Sequence, residues 1–224
     1  MVKNIILLIC IILIPLILSS CAPSTSVVLA DTSCQPICWR NITMGMASDE
    51  VKLLLDNMPD ISQNTLKQGK AYQRFYDESY SWRFTHRKEY GGNILLRESK
   101  VIGIDFTFFR SSIPLSALIK KYGEPDKVLI TKERIETTYI KAYFIYLEKG
   151  ICLEHQPGLF SWPFSWPDRY RIKPSTSIDK ILYIDPAISE GQTKIGCLED
   201  PDNLPFVQDW NGYGIYSVHQ PGSK

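Results

Sequence analysis

Two segments of this chain repeat one pattern, an amphipathic helix followed by β-strands, and this repetition constrains the fold more than any other feature. The first copy begins in residues 45–60. There Val51, Leu54 and Leu55 form an apolar stripe at helical spacing, and Ser48 is placed to cap the helix N-terminus. The pattern predicts a helix that begins near Ser48 and packs one face on a core.

The second copy begins in residues 113–126 and predicts a second helix of the same kind. Gly123 stands where helices commonly terminate, and Pro125 follows it. Residues 61–76, after the first helix, fit either a short second helix or irregular chain, and we favour partial helix. The apolar stripe of the second helix consists of Leu115, Leu118, Ile119 and Tyr122.

Strands rich in β-branched and aromatic residues are predicted after each helix. The segments RESK (97–100) and LEKG (147–150) predict hairpin turns, the second with Gly150 free to take positive φ. We therefore expect an α+β fold of two tandem repeats, each a helix followed by antiparallel strands, with the helices on one face of the sheet. This expectation allows the two halves to share one continuous sheet. The predicted strands cover residues 81–87, 93–97, 101–109, 127–131, 138–147, 151–154 and 178–184.

Four stretches carry a resemblance to known proteins: PICWRNITMGMASDEVKLLL, GGNILLRESKVIGIDF, SALIKKYGEPDKVLI and WNGYG. Together they resemble bacterial envelope lipoproteins without a characterised function. The repeated helix-then-strands pattern is also similar to the small lipoproteins of the outer-membrane barrel-assembly machinery (the SmpA/OmlA family) and to β-lactamase inhibitor proteins. The resemblance implies the tandem helix–sheet fold and does not imply an activity.

The N-terminus predicts export and lipidation. Lys3 precedes an apolar run over residues 5–18, which is too short for a typical membrane span and suits a signal peptide. The following Leu18-Ser19-Ser20-Cys21 resembles a bacterial lipobox, in which the cysteine is acylated and becomes the mature N-terminus. We expect the acyl chains on Cys21 to hold the protein in a lipid bilayer. The location would be the outer face of the cell membrane, or the outer membrane where two membranes exist.

The predicted organisation has five parts. Residues 1–20 are the signal peptide and 21–33 a lipidated tether. Residues 34–112 and 113–190 are the two helix–sheet repeats, which divide near 111–114, and 191–224 form a C-terminal tail that a disulfide ties back. Loss of residues 1–20 leaves 24 basic and 24 acidic residues with no basic stripe, so nucleic acid is not an expected partner.

Four cysteines remain after Cys21 is lipidated, and an even number outside the cytoplasm favours two disulfides. Of the three possible pairings we favour Cys34–Cys38 with Cys152–Cys197. The first closes a tight loop, and the second ties a late strand to the C-terminal tail. The alternative, a metal site of four thiolates, is disfavoured because the chain has no CxxC motif and the compartment oxidises thiols.

The stretch GLFSWPFSWPDRYR (158–171) contains the same tetrad twice. In extended chain, Phe160, Trp162, Phe164 and Trp166 share one face, and the prolines restrict the segment to an edge strand or a loop. Four exposed rings would form a larger apolar patch than monomers normally show. Either the face packs on the sheet or the C-terminal tail, or Trp162 and Trp166 stay at the rim and bind a protein partner or the membrane interface.

Catalytic and metal motifs are not apparent. His86 reads as structural or exposed, His155 and Glu154 point to opposite faces of a strand, and His219 lies in a tail expected to be mobile. The acidic segment 198–204 lacks EF-hand spacing and reads as a solvated turn. We predict no cofactor and a non-catalytic, membrane-tethered protein that binds a protein partner or scaffolds the envelope. The alternative is an extracytoplasmic hydrolase whose site is assembled from scattered residues.

Overall fold

The computed structural model describes residues 29, 38–70, 76–86, 90–108, 112–134, 138–156, 168–186 and 205–219. Helix α1 covers Ser48–Asp56 and helix α2 covers Leu115–Tyr122, with a 3₁₀ turn at Gln63–Thr65. The strands are β1 (Cys38–Trp39), β2 (Ile42–Thr43), β3 (Lys67–Lys70), β4 (Glu78–Arg83), β5 (Tyr90–Arg97), β6 (Lys100–Phe108), β7 (Ile113–Pro114), β8 (Lys127–Arg134), β9 (Thr138–Tyr146), β10 (Ile151–His155), β11 (Arg169–Arg171), β12 (Ser177–Ile178), β13 (Lys180–Ile184), β14 (Gln208–Asp209) and β15 (Ile215–Ser217).

One sheet of nine strands dominates the described residues. Its order is β14-β8-β9-β10-β13-β6-β5-β4-β3, and each neighbouring pair is antiparallel. Three two-stranded pairs accompany it: β1 with β2, β11 with β15, and β12 with β7. The fold is therefore built mainly from strands.

The predicted α+β fold of two tandem helix–sheet repeats is wrong. Strands β6 and β13 pair from Lys180 with Thr107 to Ile184 with Gly103, so the strands assigned to separate repeats form one continuous sheet. The described helices are short, at nine and eight residues, and the protein is a β-rich fold. The pattern identified local elements, but pairing between strands distant in sequence decided the architecture.

The hairpin turns follow local chemistry. Glu98 and Ser99 both have positive φ between β5 and β6, as a type I′ turn requires. Gly150 (φ +60°) closes the predicted β9–β10 hairpin, and a Cβ there would lie 2.0 Å from the carbonyl oxygen of Ile184. Position 150 therefore requires glycine for both conformation and space.

The helices match the predicted positions but not every predicted detail. Helix α1 begins at Ser48, so Ala47 is its N-cap, and the Ser48 hydroxyl instead lies 3.0 Å from the Tyr80 hydroxyl. Helix α2 ends at Tyr122, and Gly123 follows with φ +84°. Residues 61–70 contain the short 3₁₀ turn followed by β3, so the predicted partial helix is a single turn.

The larger core covers one face of the sheet and receives both helices. Val51 and Leu55 of α1 and Leu118 of α2 belong to this one cluster. At its β4–β6 end, Trp39 stacks on Trp82 with ring centroids 5.4 Å apart. The aromatic group continues through Phe84 and Phe106.

The opposite face divides into an apolar part and a polar part. The apolar part is a smaller buried cluster that consists of Leu95, Ile102, Leu129, Tyr143, Ile145, Cys152 and Leu182. In the polar part, Asn93 donates to Asp105 at 2.6 Å, and the Lys180 ammonium lies 3.4 Å from the same carboxylate. Alternation along single strands produces both faces.

Candidate functional site

A two-stranded ribbon beside the main sheet carries the candidate site. Strand β11 pairs with β15 through Arg169 with Ser217, Tyr170 with Tyr216, and Arg171 with Ile215. Two further backbone hydrogen bonds flank this pairing: the Ile172 amide donates to the Gly214 carbonyl, and the Val218 amide donates to the Asp168 carbonyl. The backbone of β11 is therefore held on its β15 side by regular pairing.

Alternation along β11 separates charge from core. Tyr170 is half-buried and Ile172 is buried, whereas Arg169, Arg171 and Lys173 are exposed. Within the described part of the chain, no ion pair or hydrogen bond engages these three cationic side chains. By contrast, the exposed pairs Lys52–Asp56 and Lys127–Asp209 neutralise each other. Arg169, Arg171 and Lys173 thus form a row of exposed cations that no described residue neutralises.

A buried histidine lies at the base of this region. His155, at the end of β10, faces the larger core and is 5% exposed. Its Nε2 lies 2.8 Å from the Tyr170 hydroxyl, and its Nδ1 lies 3.3 Å from the Ser177 hydroxyl and 3.5 Å from a carboxylate oxygen of Asp179. The β10–β13 pairing places Asp179 here, since its amide donates to the Glu154 carbonyl at 2.9 Å.

The cluster is arranged to stay in place. The pKa of Tyr170 is raised, mainly because the side chain is partly buried and to a smaller extent because the Asp179 carboxylate is close. The Tyr170 hydroxyl therefore keeps its proton. The Asp179 carboxylate also accepts the Gln156 amide at 2.8 Å and is about a third exposed. Both ring nitrogens of His155 therefore have neighbours that fix the ring, and the ring in turn positions Tyr170 and β11.

This geometry does not fit the serine-nucleophile mechanism that a hydrolase alternative would use. A catalytic base binds the nucleophile through one ring nitrogen and the orienting carboxylate through the other. Here Ser177 and Asp179 both lie against Nδ1, while Tyr170 occupies Nε2. Asp179 therefore shares Nδ1 with Ser177 and does not orient the ring from the opposite nitrogen, as the carboxylate of a triad does. The cluster is suited to positioning.

A groove of about 600 Å³ opens at this point. Its walls combine the three exposed cations with the hydroxyl side chains of residues 175–177. Two acids are nearby: Asp168 precedes Arg169 in the sequence, and Asp179 contacts His155. Such a surface favours an anionic ligand, because guanidinium groups donate paired hydrogen bonds to phosphate or carboxylate. The lining residues are His155, Arg169, Tyr170, Arg171, Lys173, Ser175, Thr176 and Ser177.

Two of the site residues predicted from the sequence, Cys38 and Cys152, lie in the described part of the chain, and neither lines the groove. Cys38 and Cys152 are buried and each is disulfide-bonded, with Cys152 on the smaller apolar cluster. Their pairing with Cys34 and Cys197 stays a prediction. The remaining predicted positions lie outside the described residues: Cys21, Cys34, Phe160, Trp162, Phe164, Trp166, Cys197 and the acidic segment 198–204.

The three histidines lie apart in the fold. His86 is exposed after β4. Glu154 faces away from His155 and lies 3.6 Å from Lys141, as the strand alternation predicts. The prediction that His219 is mobile is corrected, because its amide donates to the Ile130 carbonyl at 2.8 Å and its ring stacks on Phe206.

The described residues contain neither a metal-binding cluster nor a membrane-spanning helix. Across the described ranges, no group of three or more His, Cys, Asp and Glu side chains is placed to hold a metal ion. Those ranges also contain no helix that is long and apolar enough to cross a membrane.

Comparisons with known proteins add little. No protein-family model matches the chain, and no curated protein matches it. A cysteine-rich secretory protein from Staphylococcus aureus is a structural neighbour at a TM-score of 0.32 and 9% identity, covering 65% of this chain. The chain spans 46% of that protein, and a likeness of this size carries no argument about fold or function.

Proposed function

We propose that this protein is an extracytoplasmic, lipid-anchored binding module that acts without catalysis and holds an anionic ligand in the groove beside β11. The observation that carries the proposal is the row of exposed cations at Arg169, Arg171 and Lys173, which have no ion-pair partner among the described residues and lie beside a fixed histidine cluster. A surface that serves only solubility normally intersperses positive and negative side chains, whereas this one presents three positive side chains at alternate positions. The predicted lipid anchor at Cys21 would keep this surface at the envelope, where it could also serve a scaffold role towards a protein partner.

The charge row is tested by retention of the lipidated mature protein on phosphocellulose in non-ionic detergent. The mature chain has no net formal charge, so retention reports a local cationic surface. We expect the double variant Arg169→Gln, Arg171→Gln to elute at clearly lower salt than the wild type, because exposed contacts to phosphate are lost.

The matched control is the double variant Lys67→Gln, Lys70→Gln, which removes the same charge from the exposed strand β3. It should elute close to the wild type. Equal shifts for the two double variants would mean that overall charge causes retention, and the groove would then lose its proposed role.

The anchor is tested separately by labelling cells with a fatty acid. We expect Cys21→Ala to abolish labelling and to release the protein from the membrane fraction. Labelling that persists in Cys21→Ala would contradict the proposed tether without bearing on the groove.

A further inference from the structure

Three cations form a row, which consists of Arg169 and Arg171 of β11 and of Lys173, two residues after the strand ends. Arg169, Arg171 and Lys173 occupy alternate positions of one extended segment and are all exposed. Alternate side chains of a strand lie about 6.6 Å apart, so the charged row extends over roughly 13 Å along the backbone. A single small anion would engage one or two of these positions, whereas a chain of anions with the same repeat would engage all three.

In the described ribbon, no carboxylate stands opposite the two arginines on the neighbouring strand. On the neighbouring strand, Ser217 lies opposite Arg169 and Ile215 lies opposite Arg171, and both face the same side. Beyond β11, the Thr176 hydroxyl accepts the Lys173 amide at 2.9 Å, which fixes the turn that carries the third cation. Backbone contacts therefore fix both β11 and the turn that begins at Lys173, and the three cationic side chains are exposed.

We infer that residues 169–173 are a track for a linear polymer of glycerol phosphate type, without bases, in which successive phosphorus atoms are six bonds apart. The inference rests on the proposed function and specifies its ligand class. Two residues of extended peptide also contain six backbone bonds, so such a polymer repeats about every 6.6–7.2 Å and places one phosphate at each cation. Each phosphodiester offers two unesterified oxygens, which match the donor fork of arginine.

An acidic peptide is less well suited to this surface. Extended peptides bind through pockets for alternate side chains, and these pockets give specificity. The same face of the ribbon instead presents the cations together with Ser217 and the exposed side chain of Ile215. Charge at a fixed repeat is therefore the feature that this surface can recognise.

The test measures binding of glycerol phosphate oligomers with one, two, three or five phosphates to the lipidated mature protein in non-ionic detergent, by titration calorimetry. We expect affinity to rise roughly fivefold with each of the second and third phosphates, the factor typical of a favourable exposed ion pair. The fifth phosphate should add little beyond a statistical gain. The logarithm of affinity for the three-phosphate oligomer should fall with the logarithm of salt at a slope of about −2.

Arg171→Gln removes the middle of the track and should abolish most of the gain from the second and third phosphates. Lys67→Gln, on β3, is the control and should leave the length dependence intact. Circular dichroism and the thermal midpoint verify that both variants fold. A length dependence that survives Arg171→Gln would overturn the track.

The remaining outcomes show whether only the polymer track is wrong or whether the proposed anion-binding function is wrong as well. If one phosphate binds as tightly as three, the groove is a single-anion site, so the track is wrong and the proposed function stands. If no oligomer binds, both are wrong. Tighter binding of a polyglutamate of equal charge would assign the surface to acidic peptides. Equal binding per phosphate to phosphatidylglycerol vesicles would assign it to a lipid surface, and equal binding per phosphate to a single-stranded oligonucleotide would assign it to nucleic acid. Any of these three results overturns the glycerol phosphate polymer.

Discussion

A single methyl group added at position 92 provides a sharp test of the aromatic core. Gly92 lies opposite Trp82 in the β4–β5 pairing. A Cβ at this position would lie 2.4 Å from Cζ2 and 2.8 Å from Cε2 of the Trp82 ring. These distances are shorter than real Cβ contacts allow, so Gly92→Ala requires the ring to move.

The ring has little room to move. Trp82 is 3% exposed and stacks on Trp39, which is itself buried. Phe84 and Phe106 pack edge-on against the same ring. Overpacking of a close-packed core costs about 1–3 kcal/mol, which outweighs the few tenths that alanine gains over glycine in a strand. We expect Gly92→Ala to lose about 2 kcal/mol, or roughly 4–8 °C in Tm for a chain of this size.

The assay is chemical and thermal unfolding followed by tryptophan fluorescence and circular dichroism. The control is Gly69→Ala in strand β3, where an added Cβ meets nothing within 4 Å and φ is not positive. It should change the free energy of unfolding by less than about 0.5 kcal/mol. Combining Gly92→Ala with Trp82→Phe should cost less than the sum of the two single changes, since the smaller ring frees space. A Gly92→Ala protein as stable as the wild type would refute the packing argument.

The remaining predictions concern tyrosine ionisation and the aromatic stretch. The pKa of Tyr122 is raised, mainly by burial and secondly by the neighbouring Tyr183. Tyr122 therefore keeps its proton in the folded protein, whereas in the unfolded chain it loses the proton above about pH 10. Stability should therefore be unaffected by this group up to about pH 10 and fall above it, and Tyr122→Phe should make the fall of Tm with pH less steep. Replacing Trp162 and Trp166 by alanine should lower Tm markedly if their face packs on the protein, whereas an unchanged Tm with loss of partner or membrane binding would support the rim interpretation.

The sequence predicted the strands better than their arrangement. Alternation of side chains marked β6 and β13 as strands, because each shows a period of two or a run of β-branched residues. Nothing local indicated that these two strands pair with each other, since that contact joins residues more than seventy positions apart. The tandem-repeat prediction allowed one continuous sheet and failed on its balance of elements, because two short helices beside a nine-stranded sheet make a β-rich fold.

The candidate site was predictable only in part. The opposite orientation of Glu154 and His155 follows from strand geometry and is confirmed by the Glu154–Lys141 contact. The approach of Tyr170, Ser177 and Asp179 to His155 depends on long-range register and left no local signal. Residues 169–173 did carry one, since Arg-Tyr-Arg-Ile-Lys alternates charged and apolar side chains at a period of two.

Electrostatic repulsion between the neighbouring cations at Arg169, Arg171 and Lys173 favours binding of an anion. Two unit charges about 6.6 Å apart in water repel by roughly 0.6 kcal/mol before salt screening, so adjacent cations of β11 oppose one another. Described residues provide no carboxylate partner that offsets this repulsion. The ribbon tolerates it because Tyr170 is held by His155 on its inner side, and Tyr216, its partner across the ribbon, bonds back to Asn211 and Gly212. An anionic ligand would convert the repulsion into attraction, so ligand binding and stabilisation of the ribbon should occur together.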